Sequence, residues 1–354
     1  MKKLLLSTAL TGVILTTSAI AQTSVTGNMT VGLRAASEKG AAGAVSTASK
    51  RGMLVESQIN VQNKGKLNNG MDYAAGFALE FDGDQTASTT GAKSINNENT
   101  FIDLISGTTT LSFSIDHMND FDRSMAPRVG EHGGSTGASG GSTTATMNLV
   151  DPINTASAFG ISARQVFPGV GQLTASYIPT MTCNSTDAAG CGSSDTAVAE
   201  GNEGSGYSAL LELTNLGVKG LNIEAGMVEQ QKKVGSTTTP TRDAQFQTLG
   251  FNYTTGPVSI GYNRKEFEAG NSTTNRDQDD FGIAYTVGNT SVGALYQKTD
   301  SSDSTKVDEK YKAIAIGYNL GPVAAMLNLG KTSNLGGTSG ADQDTVTLKL
   351  RTSF

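Results

Sequence analysis

The carboxyl-terminal segment, residues 343–354, alternates apolar and polar side chains. Its apolar residues share one parity: Val346, Leu348, Leu350 and Phe354. The other parity carries hydroxyl and charged groups: Thr345, Thr347, Lys349, Arg351 and Ser353. Because successive side chains of a β-strand point to opposite faces, this pattern predicts a strand with one apolar face and one face in contact with water. Such a strand is typical of a membrane-spanning β-barrel with an aqueous interior.

A related hairpin occurs three times before this segment. In each copy an aromatic strand end runs into a short turn at a glycine, Gly256, Gly288 or Gly321, and a new alternating strand follows. These glycines lie 32 and 33 residues apart in the numbering. One period therefore holds two strands, one short turn and one longer polar loop. Short turns at one end and long loops at the other are the plan of outer-membrane barrels.

The same pattern, extended along the chain, predicts sixteen strands. Their spans are residues 25–35, 51–62, 71–82, 98–106, 109–118, 155–166, 171–179, 205–214, 220–231, 243–254, 257–268, 278–287, 290–299, 310–320, 322–331 and 343–354. An even number suits a bacterial single-chain barrel, so the predicted fold is all-β, a sixteen-stranded antiparallel transmembrane β-barrel. A Lys or Arg on the lipid face near mid-bilayer costs roughly 2–4 kcal/mol, so charged residues are expected on the opposite parity, facing the lumen.

Residues 1–21 have the features of a Sec signal peptide: Lys2 and Lys3, a short apolar stretch and an Ala-x-Ala cleavage site. The mature barrel is then residues 22–354. A membrane anchor is the weaker alternative, because the apolar stretch is shorter than the ~20 residues of a spanning helix. Without Lys2 and Lys3 the chain has 24 of its 26 basic residues against 32 acidic ones, a net charge near −8. Nucleic acid is therefore not expected as a partner.

Cys183 and Cys191 are the only cysteines, and a short polar stretch separates them. In an exported chain this spacing favours a disulfide at a loop tip. Zinc is the weaker alternative, because two cysteines supply half of an ordinary structural site and the nearest histidine, His132, is distant. No cofactor is expected. Calcium at Asp82 and Asp84, or at Asp277, Asp279 and Asp280, is less favoured than solvated loops, since the spacing does not match an EF-hand.

The whole mature chain resembles the general porins of Gram-negative bacteria, the trimeric diffusion channels of the outer membrane. Residues 98–116 give the closest local match, to the hairpin of the fourth and fifth strands. Many relatives end that hairpin with Gly-Arg, whereas this chain has Ile115 and Asp116. The resemblance implies a homotrimer that lies among outer-membrane lipid and lipopolysaccharide. It also implies that the barrel assembly machinery recognises the terminal Phe354.

The longest segment between predicted strands is residues 119–154. The resemblance implies that it is loop 3, folded into the barrel to narrow the pore, whereas its Gly-, Ser- and Thr-rich part, 133–146, leaves a mobile external loop as the alternative. The candidate constriction residues are Asp116, Asp120, Asp122, Arg123, Arg128 and Glu131. Acidic residues are in excess, which favours cations.

Charged residues of lumen parity are expected to line the wall. The principal candidates are Arg34, Glu56, Asp72, Glu80, Arg164, Glu212, Glu224, Lys349 and Arg351. Asp103, Lys265 and Asp280 share this parity. Opposed acidic and basic walls orient dipolar solutes in a transverse field. The predicted function is passive diffusion of small hydrophilic solutes and ions, with a weak preference for cations.

Other function classes fit the sequence less well. His117 and His132 are the only histidines, and no Gly-x-Ser-x-Gly motif accompanies them, so no enzymatic activity is expected. A substrate-specific outer-membrane channel is the nearest alternative. An exported adhesin built as a soluble β-sandwich is a more distant one, because the apolar faces of a sandwich pack on each other rather than face lipid.

Overall fold

The computed structural model describes residues 22–40, 49–82, 95–115, 124–127, 129, 147, 149, 159–183, 191–192, 203–231, 243–268 and 275–354. The proposed signal peptide, 1–21, lies outside these ranges and stays a prediction. No helix in the described ranges has the length and apolar character needed to span a membrane.

Seventeen strands form within the described residues. They are β1 Gln22–Lys39, β2 Ser49–Lys66, β3 Asp72–Asp82, β4 Ile95–Ser106, β5 Thr109–Ile115, β6 Phe159–Phe167, β7 Gly171–Cys183, β8 Cys191–Gly192, β9 Glu203–Thr214, β10 Leu221–Gln231, β11 Ala244–Thr255, β12 Val258–Glu268, β13 Arg276–Val287, β14 Thr290–Ser301, β15 Glu309–Asn319, β16 Val323–Ser333 and β17 Asp342–Ser353. A 3-10 turn, Leu335–Gly337, lies between β16 and β17.

Sixteen of these strands form a closed barrel. Each pairs antiparallel with its neighbours, and β1 pairs with both β2 and β17. The two-residue strand β8 pairs only with β7, while β7 continues the wall through its pairing with β9. At the seam, Gly27 and Phe354 exchange backbone hydrogen bonds of 2.8 and 2.9 Å. The sixteen-stranded antiparallel barrel predicted from alternation is therefore confirmed.

The short turns form at the predicted glycines. Gly256, Gly288 and Gly321 join β11 to β12, β13 to β14 and β15 to β16, with φ of 55°, 56° and 94°. Positive φ is open to glycine because it has no Cβ to clash with the backbone. Strands β1 and β2 extend beyond their predicted spans at both ends, since backbone pairing continues past the residues that alternate clearly.

The two faces of the wall have opposite polarity. Large apolar side chains are exposed on the outside, for example Leu249 at 58% and Ile314 at 56%. Polar side chains on the inside are buried, among them Asn263 and Lys265. A soluble β-sandwich has the reverse arrangement, with its apolar faces packed inside. The exterior is therefore suited to hydrocarbon and the interior to water, which agrees with the barrel and not with the adhesin alternative.

Candidate functional site

A row of glycines crosses the inner face of five adjacent strands. Its members are Gly250 on β11, Gly261 on β12, Gly282 on β13, Gly293 on β14 and Gly317 on β15. They share the parity of the buried polar residues of their strands, for instance Asn263 two residues from Gly261. The missing side chains leave a shallow channel along the wall, which we call the glycine groove.

Residues 124–127 and 129, part of the predicted loop 3, lie in the glycine groove. A Cβ atom on Gly261 would stand 2.3 Å from the carbonyl oxygen of Met125, and one on Gly282 would stand 2.6 Å from that of Pro127. A Cβ atom on Gly293 would meet Val129 Cγ2 at 2.6 Å. Only glycine allows the loop backbone to approach the wall this closely.

Two asparagines hold the same segment by its peptide groups. Asn252 Nδ2 donates a hydrogen bond to the carbonyl oxygen of Met125 at 3.2 Å. The backbone N–H of Met125 points to Asn263 Oδ1 at 3.5 Å. The loop backbone is therefore fixed to β11 and β12 by side chains that sequence pattern alone does not distinguish from other lumen residues.

The later part of the loop is held at Leu149. Its N–H donates to Gln278 Oε1 at 2.6 Å, and its carbonyl oxygen accepts a hydrogen bond from Lys265 Nζ at 3.1 Å. Its side chain belongs to a buried apolar cluster on the inner wall: Ile178, Leu210, Val228, Phe246 and Phe267. This part of the loop therefore packs on an apolar patch inside an otherwise polar lumen.

Glu309 fixes the loop at a third point. Its Oε2 atom accepts hydrogen bonds from the N–H of Met147 at 3.1 Å and from the N–H of Gly336 at 2.7 Å. Glu309 is the first residue of β15, one position before the predicted span, so it is not among the predicted wall charges. Extending the alternation by one residue would have placed it on the inner face.

The predicted constriction residues lie outside the described part of the chain. This holds for Asp116, Asp120, Asp122, Arg123, Arg128 and Glu131. Their role as the narrowest part of the pore stays a prediction. Met125 near one end of the loop and Leu149 near the other nevertheless contact the inner wall, so the described parts of the loop are not external.

All nine predicted wall charges have inner parity, but they do not form one ring. Thr30 on β1 lies directly between Arg351 on β17 and Glu56 on β2. The stem of Lys349 crosses β1, since its Cγ would be 3.2 Å from a Cβ on Gly32. Arg34 lies further along β1, toward the carboxyl end of the strand. Basic and acidic groups therefore stand side by side around β1.

A second group lies across the barrel. Glu212 on β9 is directly opposite Glu224 on β10, and it accepts a hydrogen bond from Gln172. Arg164 on β6 lies apart from this pair, between Thr110 and Thr174. These side chains line a different sector of the wall from the group around β1.

Two further predicted wall charges, Asp72 and Glu80, lie near opposite ends of β3. Asp72 forms an exposed ion pair with Lys66 at 2.6 Å beside the short turn after β2, a pair that adds little stability. Glu80 lies on the inner face of β3, opposite Gln58. The wall charges thus spread over the height of the barrel instead of lying at one level.

The three carboxylates of the second calcium candidate are on β13. Asp277 and Asp279 bind Arg264 on the outer face, while Asp280 points to the lumen, so these three carboxylates do not converge on calcium. Within the described ranges, no three acidic, histidine or cysteine side chains could hold a metal.

Cys183 and Cys191 are directly paired in the β7–β8 register. Their disulfide stays a prediction.

Comparisons with known proteins agree with this architecture. The sequence matches the Gram-negative porin family over residues 7–349. An anion-selective porin from Comamonas acidovorans superposes with a TM-score of 0.66 at 15% identity, covering 95% of this chain and 100% of its own. A mutant of the porin from Rh. blastica gives 0.58 at 15% identity, covering 94% and 100%.

A third solved structure is a loop L8 deletion mutant of OmpT, an outer membrane protein of Vibrio cholerae. It superposes with a TM-score of 0.60 at 16% identity, covering 94% of this chain and 99% of its own. No curated protein matches the sequence. At these identities the superpositions establish the fold, and the family match extends over nearly the whole chain. This chain belongs to the Gram-negative porin family.

Proposed function

We propose that this outer-membrane porin is a general diffusion channel with a weak preference for cations. Small hydrophilic solutes and ions would cross its water-filled lumen passively, and the channel would work as a homotrimer, as the resemblance to general porins implies. The family match and the polar inner wall support the pore.

The observation that carries the proposal is the position of the loop after β5. Its described residues lie in the glycine groove and at Lys265, Gln278 and Glu309, all on the inner wall. A segment held there reduces the cross-section open to solutes. The acidic residues of the same loop, such as Asp120 and Asp122, would then stand in the path of permeating ions.

The charges buried in the described wall support the cation preference. Four carboxylates, those of Asp103, Glu224, Asp280 and Glu309, are buried there, against one ammonium, that of Lys265. Fixed negative charge at a narrow, low-dielectric passage raises the local concentration of cations and lowers that of anions. The Comamonas acidovorans porin has a similar fold and is anion-selective, so the fold alone does not make a porin cation-selective, and the proposal rests on the charges.

Reversal potentials across a planar bilayer with a KCl gradient test the selectivity. The wild-type channel is expected to give the cation-selective sign. Asp103→Asn should shift the potential toward zero, because it removes one of the four buried carboxylates, whose Oδ1 atom has no hydrogen-bond partner among the described residues. Glu266→Gln is the matched control, since it removes one charge from the outer face, beside Arg264. An anion-selective wild type would overturn the proposal.

The same recordings separate a general from a substrate-specific channel. In a general porin, ion current falls in proportion to the volume that a neutral solute occupies and does not saturate with its concentration. A specific channel contains a binding site, so one solute blocks the current in a saturable way. Saturable block by a single sugar or amino acid, and not by its isomers, would favour the substrate-specific alternative.

A further inference from the structure

A row of short polar side chains crosses the inner face of the wall from β4 to β9. Ser112 on β5, Ser162 on β6, Ser176 on β7 and Ser208 on β9 are directly opposite one another in the strand register. Asp103 on β4 is opposite Ser112 and ends the row. All five side chains are buried. We call these residues the serine row, and their oxygen atoms give this sector of the wall a line of hydrogen-bonding groups.

The Asp103 end of the serine row has oxygen atoms without a hydrogen-bond partner. Asp103 Oδ1, Ser112 Oγ and the neighbouring Ser114 Oγ find none among the residues that the structure describes. Buried polar atoms are nearly always paired, because an unpaired one loses its contacts with water and gains nothing in return. A carboxylate only accepts hydrogen bonds, and the strongest come from a cationic donor. This end of the row therefore suits an ammonium group.

Arg164 supplies the opposite charge beside the row. It follows Ser162 by two residues on β6, so both side chains are on the inner face. Its partners in the register are Thr110 and Thr174, neither of which carries a charge. Arg164 is exposed and forms no ion pair within the described part of the chain. A guanidinium group binds carboxylates through paired hydrogen bonds, so Arg164 suits an anionic group.

The register fixes how far apart these two charged residues lie. Asp103 and Arg164 are separated by two strand spacings and by two residues along β6. With strands about 4.8 Å apart and about 3.3 Å per residue, their Cα atoms are roughly 12 Å apart. The long arginine side chain covers part of this distance. The space between the carboxylate and the guanidinium group therefore fits a small molecule only.

We propose that Asp103, Ser112, Ser162 and Arg164 form a binding site for small zwitterionic solutes, those that carry the ammonium and carboxylate groups of an α-amino acid. The ammonium group donates hydrogen bonds to Asp103 Oδ1 and Ser112 Oγ, and the carboxylate accepts them from Arg164. The site rests on the proposed function, since its ligand must enter from a water-filled lumen. It adds weak retention of one chemical class to passive diffusion.

Other classes of solute fit this pair of charges less well. A neutral polyol leaves both charges without a counter-charge. A simple cation is repelled by Arg164, and a simple anion is repelled by Asp103. Because the site contacts only the two charged groups of its ligand, the D- and L-isomers of one amino acid should bind alike. This distinguishes the site from that of a channel specific for a single solute.

Planar-bilayer recordings of the full-length oligomer test the site, with alanine and lactamide as probes. The two molecules have nearly the same size and no net charge, but only alanine is a zwitterion at neutral pH. Lactamide should lower the ion current in proportion to its concentration. L-alanine should lower it further and reach saturation, and D-alanine should give the same half-saturating concentration.

Variants of the site residues locate the binding. Asp103→Asn and Arg164→Gln should each raise the half-saturating concentration of alanine about tenfold, since each removes hydrogen bonds to a charged group. Ser112→Ala removes a neutral partner and should raise it about threefold. Arg164→Lys keeps the positive charge and should recover most of the affinity that Arg164→Gln loses.

The matched controls remove charges of inner parity elsewhere on the wall. Glu38→Gln acts on a carboxylate of β1 that already accepts a hydrogen bond from Gln343 at 2.9 Å. Lys64→Gln removes a basic residue from β2. Each should change the half-saturating concentration by less than about twofold, because salt screens charges at such distances. Unchanged heat-modifiable migration of every variant shows that the barrel remains intact.

Several outcomes would overturn the site. Equal effects of alanine and lactamide would mean that the serine row binds water only. Equal weakening in Glu38→Gln and Asp103→Asn would reduce the effect to the overall charge of the lumen. Retention of L-alanine but not of D-alanine would contradict recognition through the two charged groups alone. Saturation-transfer NMR of alanine with the detergent-solubilised oligomer detects binding without conductance, so absent current or an anion-selective sign would count against the pore proposal alone.

Discussion

The carboxylate of Glu309 accepts a hydrogen bond from the backbone N–H of Met147, at 3.1 Å. The same oxygen binds the N–H of Gly336 in the turn between β16 and β17. Glu309 is only 3% exposed, so one buried charge connects the loop after β5 to the connection between β16 and β17. Movement of either backbone segment would leave this charge with one fewer donor.

Glu309→Gln should therefore loosen the loop after β5 without unfolding the barrel. The amide keeps an acceptor oxygen but loses the charge, and hydrogen bonds to charged groups contribute about 1.5–3 kcal/mol against about 0.5–1.5 for neutral ones. We expect the free energy of unfolding to fall by about 1–2 kcal/mol and the open-channel current to become noisier. Urea unfolding in detergent micelles and single-channel recording measure the two effects.

The control for this substitution is Glu266→Gln. Glu266 is a half-exposed carboxylate on the outer face, paired with Arg264, and exposed ion pairs contribute about 0–1 kcal/mol. Its loss should leave current noise at the wild-type level. Equal noise in both variants would show that Glu309 does not hold the loop.

The glycine groove gives a second prediction, on pore size. Gly261→Ala places a methyl group 2.3 Å from the carbonyl oxygen of Met125. Because this contact is with backbone on both sides, the loop must move to relieve it. Overpacking of this kind costs about 1–3 kcal/mol, and displacement of the loop should change single-channel conductance. Gly317→Ala is the matched control, since the nearest atom, Val129 Cγ1, is 3.4 Å away. Identical conductance of Gly261→Ala and wild type would contradict the role of the groove.

The wall of the barrel could be predicted from sequence because each strand carries its own signal. Val346 faces hydrocarbon and Lys349 faces water, and along the strand this difference alternates from one residue to the next. The turns at Gly256 and Gly288 are equally local, since positive φ selects glycine. Even the inner parity of Lys265 could be inferred in this way.

The loop attachments could not be predicted because they join distant parts of the chain. Lys265 and Leu149 are 116 residues apart, and nothing near either residue specifies the other. A glycine such as Gly282 within a strand indicates close approach of another group, but not that the group is Pro127. Sequence pattern therefore predicted the wall and the long segment after the fifth strand, while the contacts between them are visible only in the fold.

The loop between β14 and β15 should respond to acid through Asp303. Hydrogen bonds from the Thr305 hydroxyl, at 2.7 Å, and from its N–H, at 2.9 Å, lower the pKa of Asp303 below 3.8. A carboxyl with a depressed folded pKa stabilises the folded loop above its unfolded pKa, and this stability is lost as pH falls through the folded value. Hydrogen exchange of the Thr305 amide should therefore stay slow relative to its intrinsic rate down to pH 3.8 and lose protection below it. In Asp303→Asn the protection should not depend on pH across this range.

The final prediction concerns Cys183 and Cys191. Directly opposed residues of an antiparallel pair have Cα atoms about 4.5–5.5 Å apart, which is within the range that a disulfide spans. We expect native protein to resist alkylation by iodoacetamide until it is reduced, with both cysteines then modified in the intact mass. Because β7 continues the wall through β9 and not through β8, the double variant Cys183→Ser with Cys191→Ser should keep the wild-type conductance and heat-modifiable migration. Alkylation of both cysteines in the unreduced, folded protein would exclude the bridge, and loss of the folded barrel in the double variant would show that β8 supports the wall itself.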